Sequence, residues 1–123
     1  MLTVLSRRVR EQAILGRVGA KVQKFNCSNE SQVIEAAREA HVVLCDTSTM
    51  TRNVILNLHR AICIAEYGIG YDNIDVEAAT EKGIVVCNVP DFMTSEVADH
   101  TVALILALAR RLHQILPSTR AGE

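Results

Sequence analysis

Short apolar runs rich in valine and isoleucine alternate along this chain with segments whose apolar residues recur at helical spacing. This alternation is typical of repeated β-α-β units, which build a parallel sheet covered by helices. We predict five strands in the spatial order 2-1-3-4-5 and an α/β fold with helices on both faces of the sheet. The predicted strands are residues 2–5, 21–26, 42–46, 61–67 and 84–88.

Polar residues at the ends of the helical segments predict where the first four helices begin and end. Ser6 and Ser28 are N-cap candidates for the first two helices, and the third begins near Thr51. Asp75 caps the fourth, which Gly83 stops. The residues predicted to share one face of the first helix are Val9, Ala13, Ile14 and Val18.

The last predicted helix runs from about Ser95 to Leu116 and ends at Pro117, and residues 117–123 have the composition of a linker. Its apolar residues point in every direction, so one small sheet cannot cover all of them. We therefore expect homo-oligomerisation through this helix.

Composition and charge exclude several classes of partner. The formal net charge is -1 and tryptophan is absent, so neither a basic field nor a stacking platform for nucleic acid is expected. The unbroken apolar run Val102–Ala109 is far shorter than the roughly 20 residues that cross a bilayer. We expect no nucleic-acid or membrane partner.

The four cysteines form no C-x-x-C pair, and we interpret them as buried reduced thiols of a cytoplasmic protein. His41, His59, His100 and His113 are too scattered to predict a metal or catalytic site, so structural or surface roles are expected for them.

Ligands of open parallel sheets bind beyond the carboxyl ends of the strands, where the strand order reverses. The loops to consider are Ser6-Arg7, residues 47–50 and residues 68–70. Gly68 and Gly70 remove side chains from the last of these loops, so its amides are open to a carboxylate or phosphate; a plain tight turn is the alternative. The pair is not a dinucleotide fingerprint, because position 73 is Asn.

Three segments together resemble a known family: YGIGYDNID at 67–75, GIVVCNVP at 83–90 and EVADH at 96–100. They are similar to the NAD-dependent D-2-hydroxyacid dehydrogenases, which include D-3-phosphoglycerate dehydrogenase, and the resemblance covers residues 41–123. It implies a flavodoxin-like substrate-binding domain at 1–92, with the first helix and truncated start of a nucleotide-binding domain at 93–123.

The resemblance also implies roles for individual residues. Gly68, Ile69 and Gly70 match the segment whose amides bind the substrate carboxylate, and Ile69 matches the residue that faces the nicotinamide. Val97 matches another cofactor contact, while Thr47 and Ser48 lie in the loop that closes over the substrate. Asp72, Asn73 and Asp75 match the family pattern, but we interpret them as turn and cap residues.

Other positions depart from the family pattern. Phosphoglycerate-specific members tend to carry an arginine where this chain has Cys45-Asp46-Thr47, and many members have one where it has Glu66, a carboxylate expected near the mouth of the site. The sequence also contains neither the family's catalytic Arg, acid and His set nor its G-x-G-x-x-G turn. The chain alone is therefore expected to be inactive.

Two alternatives remain beside the dehydrogenase interpretation. Asp46 ends the third predicted strand as the acceptor of a phosphoreceiver domain does, but the carboxylates and lysine of a magnesium site are missing around it. A stand-alone ligand-sensing or assembly domain derived from the dehydrogenase family is the second alternative.

Overall fold

A computed structural model describes the backbone of residues 2–5 and 10–122 and the side chains of residues 13–122. The chain divides into two compact units, Met1–Pro90 and Asp91–Glu123. The division falls two residues before the boundary expected between positions 92 and 93.

The first unit is built on a parallel sheet in the order β2-β1-β3-β4-β5. The strands are β1 (Leu2–Leu5), β2 (Val22–Lys24), β3 (Val42–Cys45), β4 (Cys63–Glu66) and β5 (Val85–Cys87). This order is the one predicted from the sequence, and it places the reversal of strand order between β1 and β3. The carboxyl ends of β3 and β4 therefore open onto the loops 46–50 and 67–74.

The described residues of this unit form four α-helices: α1 (Arg10–Leu15), α2 (Glu30–Ala37), α3 (Arg52–Leu56) and α4 (Val76–Glu81). Thr51 and Asp75 cap α3 and α4 as predicted, and Gly83 after α4 is in the left-handed region, with a φ of 70°. Ser28 is not the cap of α2. Asn29 takes that place because its Oδ1 accepts from Gln32 N–H, while Ser28 N–H donates back to the Gln32 side chain. The proposed cap Ser6 lies outside the described residues, as does Val9.

The core lies between one face of the sheet and helices α2, α3 and α4. Val43 and Ile64 on the sheet and Val54, Ile55 and Ala78 on the helices are all fully buried in one cluster. Burial of this apolar surface is the main stabilising term of the unit.

Two apolar segments outside this core are more exposed than the sequence predicts. Ile14 in α1 and Val18 after it are 63% and 78% exposed. Val18 does not continue the predicted face of α1, because the chain tightens into a 3-10 turn over Gly16–Val18. Helices on both faces of the sheet were expected to cover the apolar strand β5 as well. It is an edge strand, and Val85 is 62% exposed.

The second unit contains two helices where one continuous helix was predicted. Helix α5 runs from Thr94 to Ala109 and α6 from Leu112 to Ala121. Arg110 N–H closes α5 onto Leu106 O and Leu108 O, and Arg111 has a φ of 51°, in the left-handed region. The apolar pattern continues through this break and gave no sign of it.

Pro117 does not end the last helix, and the tail is not a linker. Pro117 lies inside α6, which continues to Ala121. Proline removes its own N–H from the helix, but its effect is local when the turns on both sides persist. Among the described helices of both units, none has the length and apolarity that crossing a bilayer requires.

Candidate functional site

The loops that follow β3 and β4 are joined by backbone hydrogen bonds. Met50 N–H donates to Asn73 O at 2.7 Å, and Asp75 N–H donates to Met50 O at 2.9 Å. Met50 and Ile74 thereby form a parallel bridge beyond the ends of the named strands. The loops that follow β3 and β4 are thus joined at their far ends, just before α3 and α4.

The side chain of Asn73 ties these loops together from within. Its Nδ2 donates to Ser48 O at 3.1 Å, to Asp46 O at 3.3 Å and to Glu66 Oε2 at 3.1 Å. Asp75 is a helix cap, as predicted, whereas Asn73 is more than a turn residue. The sequence analysis missed this role for two reasons. The acceptors in Asp46 and Ser48 lie far from Asn73 in the sequence, and Glu66 was not expected to be buried.

Glu66 is that buried acid. Its exposure is 4%, so it lies beneath the loop and not at the mouth of the site. Cys45 Sγ donates to Glu66 Oε2 at 3.3 Å, and the Asn73 amide donates to the same oxygen. Burial raises the pKa of the Cys45 thiol, and the neighbouring carboxylate of Glu66 raises it further. The thiol therefore stays protonated and able to donate.

Two of the three carbonyl groups in the loop Gly68-Ile69-Gly70 accept hydrogen bonds, and the amides of the loop are open. Gly68 O accepts from Val89 N–H at 3.0 Å, and Ile69 O accepts from the Asn88 side chain at 2.7 Å. Within the described part of the chain, the N–H groups of residues 68, 69 and 70 have no acceptor. A row of unsatisfied amides next to the carboxyl end of a strand is suited to bind an anion.

The glycines of this loop are not required by backbone conformation. The described glycines with positive φ are Gly19, Gly83 and Gly122, so Gly68 and Gly70 have torsions open to other residues. A Cβ at Gly68 would lie 3.8 Å from Glu66 Oε1, and one at Gly70 would lie 3.7 Å from Asp72 Oδ2, both ordinary contacts. The effect of the two glycines is that no side chain at these positions covers the amides, which therefore stay accessible to a ligand.

Thr47 and Ser48 border a cavity of about 380 Å³ beside this loop system. Thr47 is exposed and Ser48 is half-buried. The cavity is rich in hydroxyl groups, and its wall consists of Cys27, Ser28, Asn29, Glu30, Val33, Thr47, Ser48, Thr49 and Thr51. Ile69 is 45% exposed.

The remaining predicted residue, Val97, lies in the first turn of α5 in the other compact unit, with 60% of its surface exposed. Of the histidines, His59 forms an exposed pair with Glu39, Nδ1 to Oε1 at 3.3 Å, away from the loops described above. Among residues with described side chains, no group of three or more His, Cys, Asp or Glu is arranged to hold a metal ion.

The cysteines differ from the prediction of buried thiols. All four are free, but only Cys45 is buried, while Cys87 is exposed and Cys63 is partly exposed. Their Sγ atoms lie 3.8 Å apart. Burial raises the pKa of Cys63 to about 11, helped by its hydrogen bond with Cys87. No sequence pattern indicates this pair, because 24 residues separate its members.

Comparison with known proteins agrees with the fold and the motifs. The chain is 40% identical to D-3-phosphoglycerate dehydrogenase of Methanocaldococcus jannaschii over 89% of its own length and 21% of the relative. It is 39% identical to glyoxylate reductase of Thermococcus litoralis over 74% of its length and 28% of the relative. The chain thus spans between a fifth and a third of the length of these curated relatives.

A solved structure shares the fold at lower identity. D-lactate dehydrogenase from Aquifex aeolicus, complexed with NAD and lactic acid, superposes with a TM-score of 0.78 at 23% identity, covering 98% of this chain and 37% of that one. The family described as D-isomer specific 2-hydroxyacid dehydrogenase, catalytic domain, matches residues 3–121. This protein therefore belongs to the D-isomer specific 2-hydroxyacid dehydrogenase family.

Proposed function

We propose that this chain forms the substrate-binding part of an NAD-dependent dehydrogenase that interconverts a 2-hydroxy acid and a 2-oxo acid. The substrate carboxylate binds the amides of Gly68, Ile69 and Gly70. The observation that carries this proposal is the pairing of open amides with engaged carbonyls in that loop. Hydrogen bonds to an ionised acceptor are about twice as strong as neutral ones, which favours a carboxylate there.

The rest of the substrate lies toward Thr47 and Ser48. Their hydroxyl-rich cavity is large enough for a small organic acid and too small for a dinucleotide. Asn73 holds the carbonyls of Asp46 and Ser48, so it is a positioning residue for this side of the site. Glyoxylate reductase among the relatives supports a small acid without a phosphate group, as does Cys45-Asp46-Thr47 in place of an arginine. D-3-phosphoglycerate dehydrogenase among the relatives keeps 3-phosphoglycerate as the second candidate substrate.

NAD supplies or accepts the hydride when it is bound. Ile69 and Val97 are the residues of this chain that we assign to cofactor contact, and the exposure of Ile69 beside the open amides fits a position next to the nicotinamide. The pyrophosphate turn and the catalytic Arg, acid and His are absent from these 123 residues. We therefore assign residues 1–92 to the substrate domain and residues 93–123 to the start of the nucleotide-binding domain.

Amide chemical shifts provide the test of carboxylate binding. Titration of the isotope-labelled chain with glyoxylate should move the Gly68, Ile69 and Gly70 amide signals more than those of β3 or β4. The matched control ligand is glycolaldehyde, which lacks the carboxylate and should leave them in place. Glyoxylate shifts confined to other loops would contradict the proposal.

Gly70→Val is the matched variant. Its side chain would crowd the amides, and the backbone torsions at this position accept a residue other than glycine, so the fold should persist. The affinity for glyoxylate, measured from the amide shifts of residues 68–70, should fall at least tenfold. Gly16→Val, at an open position away from these loops, should leave the response unchanged. Unaltered glyoxylate binding by the Gly70 variant would remove this loop from the site.

The chain alone should neither reduce glyoxylate nor bind NADH tightly, because catalysis in this family needs groups that it does not contain. Following the nicotinamide absorbance with glyoxylate and with pyruvate tests this expectation. Turnover above the protein-free rate would show that other residues carry out the chemistry. If a longer form of the protein binds glyoxylate but does not reduce it with NADH, that result would favour the alternative of a ligand-sensing domain.

A further inference from the structure

Two peptide groups of the glycine loop face the same way. Gly68 O accepts from Val89 N–H at 3.0 Å, and Ile69 O accepts from the Asn88 side chain at 2.7 Å. Both carbonyls therefore face the residues that follow β5. The described peptide bonds include no cis bond, and in a trans peptide group the N–H points opposite to the carbonyl. The N–H groups of Ile69 and Gly70, which belong to these two peptide groups, consequently both face away from β5.

This arrangement of the loop amides differs from that of an extended strand, in which successive N–H groups alternate between the two edges. Two successive N–H groups on the same side form a concavity that binds anions. A carboxylate has two oxygens, so each oxygen can accept from one of the two groups. Gly68 N–H belongs to the preceding peptide group, whose direction these hydrogen bonds do not set. The donors whose direction is fixed are therefore those of Ile69 and Gly70.

The two hydrogen bonds that hold the loop differ in their donors. Val89 contributes a backbone N–H, whereas Asn88 contributes a side-chain amide. Asn88 is half-buried and follows Cys87, the last residue of β5, which the sheet register pairs with Ala65 of β4. The pairing of β5 with β4 thus fixes the backbone from which the Asn88 side chain extends. Its distance of 2.7 Å from Ile69 O is at the short end of the range for N–H···O hydrogen bonds.

We propose that Asn88 is a positioning residue of the carboxylate site, which holds Ile69 O and so directs Gly70 N–H toward the substrate. This role rests on the proposed function, because it needs a carboxylate at the loop. Asn88 lies on the side of the loop opposite to the two N–H groups, so it acts on the substrate through the peptide group between Ile69 and Gly70. A hydrogen bond accepted by the carbonyl of that group also polarises its N–H and strengthens the bond that the N–H donates.

Asn88→Ala removes the donor and tests this role in the isotope-labelled chain. Without a ligand, the carbonyl carbon signal of Ile69 should move, because its oxygen loses a hydrogen bond. The carbonyl carbon signal of Gly68 should stay, because Val89 still donates to that residue. The affinity for glyoxylate should fall at least fivefold. At saturation, the shift that glyoxylate causes at the Gly70 amide should be reduced more than the shift at the Ile69 amide, because only the Gly70 N–H has lost its orientation.

Two further variants serve as controls. Asn57→Ala is the matched control, because Asn57 also donates from its side chain to a backbone carbonyl, Asn53 O at 2.8 Å, but does so at the end of α3. The affinity of this variant for glyoxylate should equal that of the wild type. Asn88→Gln retains an amide donor and should bind glyoxylate more tightly than Asn88→Ala does.

The possible results separate this role from the proposed function. A wild-type chain whose amides at residues 69 and 70 do not respond to glyoxylate would overturn the proposed function, and the positioning role with it. A wild-type response that Asn88→Ala retains in full would overturn the positioning role alone, as would equal affinities of the Asn88→Ala and Asn88→Gln variants. Loss of affinity together with altered signals throughout β3 and β4 would assign Asn88 to the stability of the fold and would also overturn the role.

Discussion

The ammonium group of Lys82 lies 2.8 Å from the carbonyl oxygen of Leu58, and it also contacts Ile55 O at 3.2 Å and Leu56 O at 2.9 Å. These carbonyls belong to the end of α3 and the residues after it, where a helix leaves its last acceptors without partners. A cation at this end also complements the helix dipole. One side chain from the end of α4 thus closes the end of its neighbour.

Lys82→Met should lower the free energy of unfolding by about 1–2 kcal/mol, because three carbonyls lose a charged donor at a partly exposed position. Urea unfolding followed by circular dichroism measures this change. Lys21→Met, at an exposed position in the turn before β2, is the control and should stay within about 0.5 kcal/mol of the wild type. Equal stability of both variants would show that solvent replaces Lys82 without cost.

Asn73→Ala should be more destabilising, by roughly 2–3 kcal/mol, because the buried Glu66 carboxylate and two loop carbonyls lose their donor together. The same variant should weaken glyoxylate binding, since the Ser48 side of the site is no longer held. Gln23→Ala, at an exposed position of β2, is the control and should affect neither property. The hypothesis fails if stability falls while glyoxylate affinity remains at the wild-type value, since Asn73 would then be structural only.

Cys45 should impose a pH dependence on stability. Its folded pKa is raised by burial and by Glu66, so the folded protein keeps the proton while the unfolded chain loses it above the ordinary thiol pKa of 9.0. The unfolded state then binds fewer protons, and stability falls with rising pH by up to about 1.4 kcal/mol per unit. The loss begins near pH 9 and is absent at lower pH.

Comparison with Cys45→Ala isolates this effect. The variant should be less stable than the wild type at pH 7, because a buried sulfur is removed, but its stability should decline less steeply between pH 9 and 10. Unfolding by urea at four pH values measures both slopes. Identical slopes would mean that Cys45 ionises as readily in the folded protein as in the unfolded chain.

The exposed apolar side chains of α5 predict self-association of the chain. Ile105, Leu106 and Leu108 are each more than half exposed, as are several apolar neighbours in α5 and α6. Burying such a surface between two copies is favourable, and two-fold symmetry is the most common arrangement. Sedimentation velocity over a concentration series should show a dimer.

Leu106→Glu should shift that equilibrium to monomer by placing a charge inside the buried surface. Gln114→Glu introduces the same charge at a polar position of α6 and should leave the dimer intact. A wild-type chain that stays monomeric at high concentration would contradict the prediction.

Local signals predicted the parts of the fold that local interactions determine. Thr51, Asp75 and Gly83 were identified as helix ends because cap chemistry depends on a few adjacent residues. The strand order followed from the β-α-β rhythm, which has few topological solutions. Even here, the cap of α2 was placed one residue early because Ser28 and Asn29 are both good caps.

Contacts between distant residues were not predictable in the same way. Nothing near Asn73 in the sequence indicates that its amide reaches Asp46, Ser48 and Glu66, since these contacts exist only after β3 and β4 pair. The break at Arg111 was missed because apolar spacing continues through it, and the left-handed torsion there has no glycine to announce it. Sequence motifs located the candidate loop, but they did not show what supports it.

The bridge between Met50 and Ile74 has a mechanical consequence for the candidate site. Two loops that share a strand-like pair of hydrogen bonds cannot open independently, because separating either one breaks the same ladder. Under the proposed function, a small acid that engages residues 47–48 at one end and residues 68–70 at the other would meet two loops that move together through this bridge. The coupling is carried by backbone hydrogen bonds, so it depends on the fold and not on the side chains of Met50 and Ile74.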